Sequence, residues 1–259
     1  MIFSKDTKSI MKFFQDRFII KGDGPPDYYL GNDYKKDPNG RWTIGCKKYI
    51  KDALEKIQSI HGVIPKRNNP CEQDVHLETD ASPLLTAIEH RQFQQLIGIL
   101  NWIMQIGRID IAYATVSLAR FVAVPRRTHL KHALHVFGYL KAFPNARSTV
   151  DSRDPIYEYG EEHLKVNLQT KMEKFYPEAS EEIDRRLPKP LVPEMSTTVF
   201  VDSDHAHDKV TRRSITGMII FVGRTPVQGL SKRQGSIETS TYGAEFNAMR
   251  TASEEIIAI

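Results

Sequence analysis

The sequence predicts an α+β chain. Three observations carry that expectation. Apolar residues recur every three to four positions in several runs between residues 50 and 140. Short apolar runs separated by turn residues follow residue 196. A pair of aromatic-containing runs brackets a strong turn signal at 28–46. With 259 residues, 40% hydrophobic and 26% charged, the chain is long enough for one large or two ordinary cores.

In chain order, residues 8–20 read as a short helix with an apolar edge from Ile10, Phe13 and Phe14, broken by Gly22-Asp23-Gly24-Pro25-Pro26. Tyr28-Tyr29-Leu30 and Trp42-Thr43-Ile44 flank Asp37-Pro38-Asn39-Gly40, which predicts a β-hairpin. A helix follows on Ile50, Ala53, Leu54, Ile57 and Ile60, then a proline-containing loop over 61–83. Three more helices carry the stripes Phe93-Leu96-Ile97-Leu100-Ile103-Met104, Ile111-Ala114-Thr115-Leu118-Val122 and Leu130-Ala133-Leu134-Phe137-Leu140. Thr128 is the expected N-cap of the third, and Lys131, His132, His135 and Tyr139 fall on its opposite, polar face. That face suits either a phosphate backbone or plain water.

Residues 144–195 are rich in Glu and proline and read as a linker or insertion with a helix at 161–174. Strands are expected at 197–201, 214–222 and 225–231. A last helix starts near Ser240, with Ala244, Ala248, Ala252 and Ile256 on one edge.

No apolar run approaches the roughly 20 residues that span a bilayer, and residues 1–6 are too short for a secretory signal. Cys46 and Cys71 alone give no disulfide framework, which points to a reducing, intracellular setting. The net charge of +4 is mild, but its distribution is uneven. Residues 111–150 hold no acid while Arg120, Arg126, Arg127, Lys131, Lys141 and Arg147 accumulate. Residues 209–237 are also acid-free and hold Arg212, Arg213, Arg224, Lys232 and Arg233. Such segregation fits a polyanion-binding surface on two elements, or two solvated basic faces.

Two carboxylates are placed for chemistry. Asp202 ends the apolar run Thr198-Val199-Phe200-Val201, and Glu245 sits one turn into the last helix. Phosphodiester hydrolysis with two Mg²⁺ ions needs several carboxylates converging on ions about 4 Å apart. A strand and a packed helix supply that rigidity, although an isolated Asp–Glu pair is most often surface chemistry. The run Asp204-His205-Ala206-His207-Asp208 invites a transition-metal reading if its His residues alternate on a strand. Two His without a third nitrogen or thiolate make a poor zinc site, however. His129, His132 and His135 read as surface histidines, and Gly22-Asp23-Gly24 lacks the strand and helix of a phosphate loop.

The motifs have a shared order. Phe200-Val201-Asp202-Ser203-Asp204-His205-Ala206, Thr211-Arg212-Arg213-Ser214-Ile215-Thr216-Gly217, Ser231-Lys232-Arg233-Gln234 and Ser240-Thr241-Tyr242-Gly243-Ala244-Glu245-Phe246 resemble the Y-S-D-A-D-W-A, R-K-S-T-S-G, S-K-K-Q and S-S-T-E-A-E-Y of Copia-type ribonuclease H. Upstream, Gly24-Pro25-Pro26-Asp27-Tyr28-Tyr29-Leu30-Gly31, Lys47-Lys48-Tyr49-Ile50 and Arg108-Ile109-Asp110-Ile111-Ala112-Tyr113-Ala114 are similar to G-E-P-K-Y-F-L-G, R-K-Y-I and R-P-D-I-A-Y-A of the same family, the Pol polyproteins of Copia-type LTR retrotransposons. Ser117-Leu118-Ala119-Arg120-Phe121 and Tyr139-Leu140-Lys141 continue the match.

The resemblance implies that residues 1–143 are the end of a reverse transcriptase, with palm end, primer-grip-like hairpin and thumb-like helices. It makes 144–195 the linker and 196–259 the first part of a ribonuclease H-like αβ unit. It makes Asp202 and Glu245 catalytic, Mg²⁺-binding residues. The basic residues Arg120, Arg126, Arg127, Lys131, Lys141, Arg212, Arg213, Lys232 and Arg233 become the contacts to an RNA–DNA hybrid or other nucleic acid. The remaining parts of the polyprotein become partners, the setting a cytoplasmic virus-like particle, and no membrane is involved. The family pattern places its Y-V-D-D before Met1 and a third nuclease Asp beyond Ile259, so the 259 residues alone are expected to be inactive. Gly229 stands where the family usually has Trp, and Gly243 where it has Glu. Two rival readings are a non-catalytic nucleic-acid-binding module and a functionless remnant of a dead element.

Overall fold

The computed structural model describes residues 7–19, 27–72, 75–155 and 195–257, and over these the chain is α+β with two antiparallel sheets. After helix α1 (Thr7–Gln15) comes a sheet of order β1 (Tyr28–Tyr29), β2 (Asn32–Lys36), β3 (Trp42–Gly45) and β4 (Arg147–Thr149). The expected turn closes a hairpin of β2 and β3, but Tyr28 and Tyr29 form β1, which pairs with β2 and not with Trp42-Thr43-Ile44. The turn is held by the Asp37 carboxylate, whose Oδ1 accepts the N–H groups of Asn39 at 2.9 Å and Arg41 at 2.8 Å. Strand β4 lies inside the segment read as linker. Arg147 draws it onto β3, donating from Nε to Thr43 Oγ1 at 2.9 Å and from Nη2 to the Thr43 carbonyl at 3.1 Å. The proposed helix at 161–174 lies outside the described residues.

Helices α2 (Lys47–His61), α3 (Ala87–Gln105), α4 (Ala112–Ala119) and α5 (Arg127–Ala142) bury their stripes in one core, with Ile50, Phe93, Leu100, Leu118, Phe137 and Leu140 among its members. Helix α3 starts with a capping box between Thr86 and Glu89. Thr128 is not the cap of α5. The N-cap position is Arg126, whose N–H donates to His129 Nδ1 at 3.0 Å, while the Thr128 N–H donates to Ser82 Oγ at 3.1 Å.

The polar side of α5 is wet only in part: Lys131 is exposed, while the preceding loop wraps over His129 and His135. His135 Nε2 lies 3.1 Å from the Asn69 carbonyl, and His129 Nε2 lies 3.2 Å from the Leu77 carbonyl. The His129 ring stacks on Phe121 with centroids 4.1 Å apart. His129 and His135 are therefore buried. Arg67 N–H bonds the Gly138 carbonyl, and a Cβ at Gly138 would sit 2.5 Å from the Pro65 carbonyl oxygen, so only glycine admits the loop this close.

The second sheet has β6 (Ile215–Val222) between β5 (Thr197–Asp204) and β7 (Thr225–Arg233). Helix α6 (Thr241–Ile257) covers one face, burying Ala244, Ala248 and Ala252 near Met218 and Ile220. Ile256, expected on the same edge, is exposed near the helix end. The opposite face leaves Phe200 and its cross-strand partner Ile219 exposed. Strand β5 stops at Asp204, and Ala206 takes φ 51°, so 205–208 is a turn and its two His do not alternate on a strand. The two halves meet where Ile109 packs against β7. A Cβ built on Gly229 would lie 3.0 Å from Ile109 Cβ, so the glycine sets how near the halves come. Among the described residues no helix is long and apolar enough to cross a membrane.

Candidate carboxylate pair and nucleic-acid interface

Side chains alternate across a strand, so Asp202 and Ser203 point to opposite faces of β5. Asp202 is exposed and lines a groove with Asp204, Asp110 and Ser231 on the face away from α6. Ser203 faces α6, and its hydroxyl donates to Glu245 Oε1 at 2.9 Å. Glu245 thus reaches the residue next to Asp202, with the strand between the two carboxylates. Among the described residues no three His, Cys, Asp or Glu are grouped so as to hold a metal ion. By themselves these two acids do not form a metal cage.

Four of the nine basic residues have partners within the fold. Arg120 pairs with Asp208, and Arg233 Nη1 donates to the same Asp208 Oδ2 at 3.1 Å. Lys141 Nζ donates to Gln58 Oε1 at 2.7 Å and the Ile64 carbonyl at 2.8 Å. Arg126 donates to the Ser82 carbonyl. Arg127 and Lys131, one turn apart on α5, are exposed, as are Arg212 and Lys232, while Arg213 is half-buried. Among the described residues none of these five has an ion-pair partner within 4.0 Å.

Asp208 is the residue that sequence reasoning missed. Its side chain is 1% exposed, and it gathers Arg120, Arg233 and the N–H groups of Val210 at 3.1 Å and Thr211 at 2.8 Å. Burial pushes this carboxyl up, but the Thr211 N–H and the two guanidinium groups outweigh it and hold the group well below the usual carboxylate range. Nothing in the sequence marks a pair 88 positions apart.

A second cluster joins the halves beside it. His207 Nδ1 lies 2.6 Å from Asp204 Oδ2, and its Nε2 lies 3.1 Å from the Tyr113 hydroxyl. His76 Nδ1 lies 3.1 Å from Glu78 Oε1, which also accepts the Lys209 N–H at 3.0 Å. Burial pushes the Cys46 thiol up to about 11, which keeps it protonated and unreactive.

No family model and no solved structure matches the chain. It is 23% identical over 240 residues to a retrovirus-related Pol polyprotein from transposon RE1 of Arabidopsis thaliana, covering 93% of this chain and 13% of that protein. It is 31% identical over 123 residues to a transposon Ty5-1 protein of Saccharomyces cerevisiae, covering 48% of this chain and 39% of the other. An uncharacterized mitochondrial protein of Arabidopsis thaliana is 23% identical over 257 residues, which is 98% of this chain and 87% of that protein.

Proposed function

Because the chain is a relative of the Pol polyproteins of Copia-type retrotransposons, we propose that it handles the RNA–DNA hybrid during reverse transcription and RNA hydrolysis by such a polyprotein. In this reading α2–α5 form a thumb-like bundle that grips the hybrid by its backbone, and β5–β7 with α6 belong to a ribonuclease H-like unit. The other parts of the polyprotein are its partners. Asp202 and Glu245 are the residues that would hold Mg²⁺ in such a unit, but β5 stands between them here, so the two do not reach one ion.

The observation that carries the proposal is the exposed pair Arg127 and Lys131 on α5, inside the acid-free segment 111–150. Phosphate contacts of this kind read duplex shape and release counterions. Anisotropy titrations of a labelled RNA–DNA hybrid over a range of salt test it. The doubly substituted chain, Arg127→Ala with Lys131→Ala, should bind more weakly. The slope of log affinity against log salt should flatten by about 1 to 2. A salt-independent affinity, or a slope unchanged by the substitutions, refutes it.

One observation favours a second reading, a nucleic-acid-binding module without catalysis: β5 stands between Asp202 and Glu245. Because the 259 residues alone are expected to be inactive, hybrid cleavage with Mg²⁺ assayed on the chain within a longer polyprotein separates the two. Cleavage that disappears with Asp202→Asn supports the nuclease, and binding without cleavage supports the module.

A further inference from the structure

Between α4, the loop before α3 and the turn after β5 lies a cleft of about 640 Å³, within the size range of small-molecule sites. We propose that this cleft binds a nucleotide unit, an aromatic heterocycle carrying a phosphate. The proposal goes beyond hybrid gripping by Arg127 and Lys131, neither of which lines the cleft, although Arg212 is also among the basic residues that the resemblance assigns to nucleic acid.

The cleft has three parts suited to such a ligand. Leu118 and Val136 give it an apolar floor. Three rings, Tyr113, His76 and His207, stand together in its wall, His76 and His207 with centroids 5.4 Å apart and Tyr113 edge-on to His207 at 6.1 Å. The Asp204–His207–Tyr113 chain of hydrogen bonds fixes these rings, so a planar ligand meets a preformed surface. Lys209 and Arg212 line the same cleft, are exposed and have no ion-pair partner among the described residues.

Two of the three acids that line the cleft are hydrogen-bonded. Asp204 is taken by His207, and Glu78 by His76 and the Lys209 N–H. Glu72 lies 3.7 Å from His135. Close by, Arg120 and Arg233 share the single carboxylate of Asp208, which leaves one positive charge in excess. Arg212 also holds φ 58°, a left-handed conformation that a non-glycine residue keeps only where the surroundings impose it.

The test is calorimetric titration of the whole chain with adenosine 5′-monophosphate, adenosine, inorganic phosphate and a short single-stranded oligonucleotide. Adenosine 5′-monophosphate should bind more tightly than either of its halves. An oligonucleotide that binds more tightly still assigns the site to an unpaired nucleotide of a strand, and equal or weaker binding assigns it to the free nucleotide. Lys209→Ala with Arg212→Ala should weaken binding about tenfold, the loss of one to two charged hydrogen bonds. Arg212→Gly relieves the backbone, so it should raise the melting temperature while weakening binding, a combination that a purely structural arginine would not give. Arg127→Ala with Lys131→Ala should leave nucleotide affinity unchanged, which separates this site from the hybrid surface. No binding of the nucleotide or the oligonucleotide overturns the proposal, as does an affinity that ignores both Lys209 and Arg212.

Discussion

Arg120, just after the last turn of α4, and Asp208 in the turn after β5 form an ion pair across the junction of the two halves, and Arg233 of β7 completes it from the other side. Asp208 is the sole carboxylate that both guanidinium groups share among the described residues, so removing its charge strands two cations at once. Asp208→Asn should lower stability by about 3 kcal/mol, the lower end of the range for a broken buried pair, because Arg120 and Arg233 keep some access to water. Chemical denaturation checks this. A loss below about 0.5 kcal/mol would show the pair to be of no more than surface value.

The same carboxylate sets a pH dependence. Its pKa is depressed in the folded chain, so it contributes stability that is fully present above the ordinary carboxylate pKa of about 4 and is lost as pH falls through the folded value. The difference in melting temperature between the native chain and Asp208→Asn should hold from about pH 7 to 5 and shrink below about pH 4. A difference that widens on acidification would contradict the assigned sign.

Two helical glycines should respond in opposite ways to alanine. At Gly138 the added carbon meets the Pro65 carbonyl oxygen at 2.5 Å, and backbone cannot yield cheaply, so Gly138→Ala should cost about 1–3 kcal/mol. At Gly98, inside α3, nothing lies within 4 Å, and Gly98→Ala should stabilise by about 0.5–1 kcal/mol. Melting curves of the two variants decide it, and like-signed shifts would count against the loop packing described for α5.

Gly229 is the third glycine with a consequence. A methyl there must push Ile109 back by a few tenths of an ångström, whereas an indole has no room in this arrangement. Gly229→Ala should be nearly tolerated, and Gly229→Trp should separate the halves and expose the segment around Ile109 to limited proteolysis. Equal protection in both variants would mean that the contact does not hold the halves together.

Much of the fold is legible in the amino-acid order alone. The stripe from Phe93 to Ile103 and the turn at Asp37-Pro38-Asn39-Gly40 are local signals, and local physics decides them. What is not legible depends on distant partners. Arg120 reads as a free cation because Asp208 lies 88 positions away. His129 and His135 read as solvent-facing because periodicity finds the apolar side of α5 but not the loop that covers the other. Thr128 falls inside the helix rather than at its cap because α5 starts at Arg127, with Ser82 Oγ accepting the Thr128 N–H and His129 Nδ1 accepting the Arg126 N–H. Motif order picks out Asp202 and Glu245, and their separation by β5 follows from the side-chain alternation that any strand imposes.

The Asp208 hub also bears on how the chain comes apart. Its partners come from the C-terminal end of α4, from β7 and from the turn after β5, so neither half can open without breaking charged hydrogen bonds of the other. Backbone contacts between Asp151 and Arg224, and between Asp151 and Thr225 Oγ1 at 2.8 Å, fasten a second point of the same seam. Two lobes pinned in this way should open as one cooperative foldon, so that hydrogen exchange reads the same opening free energy at the slowest amides of α3 and of β6.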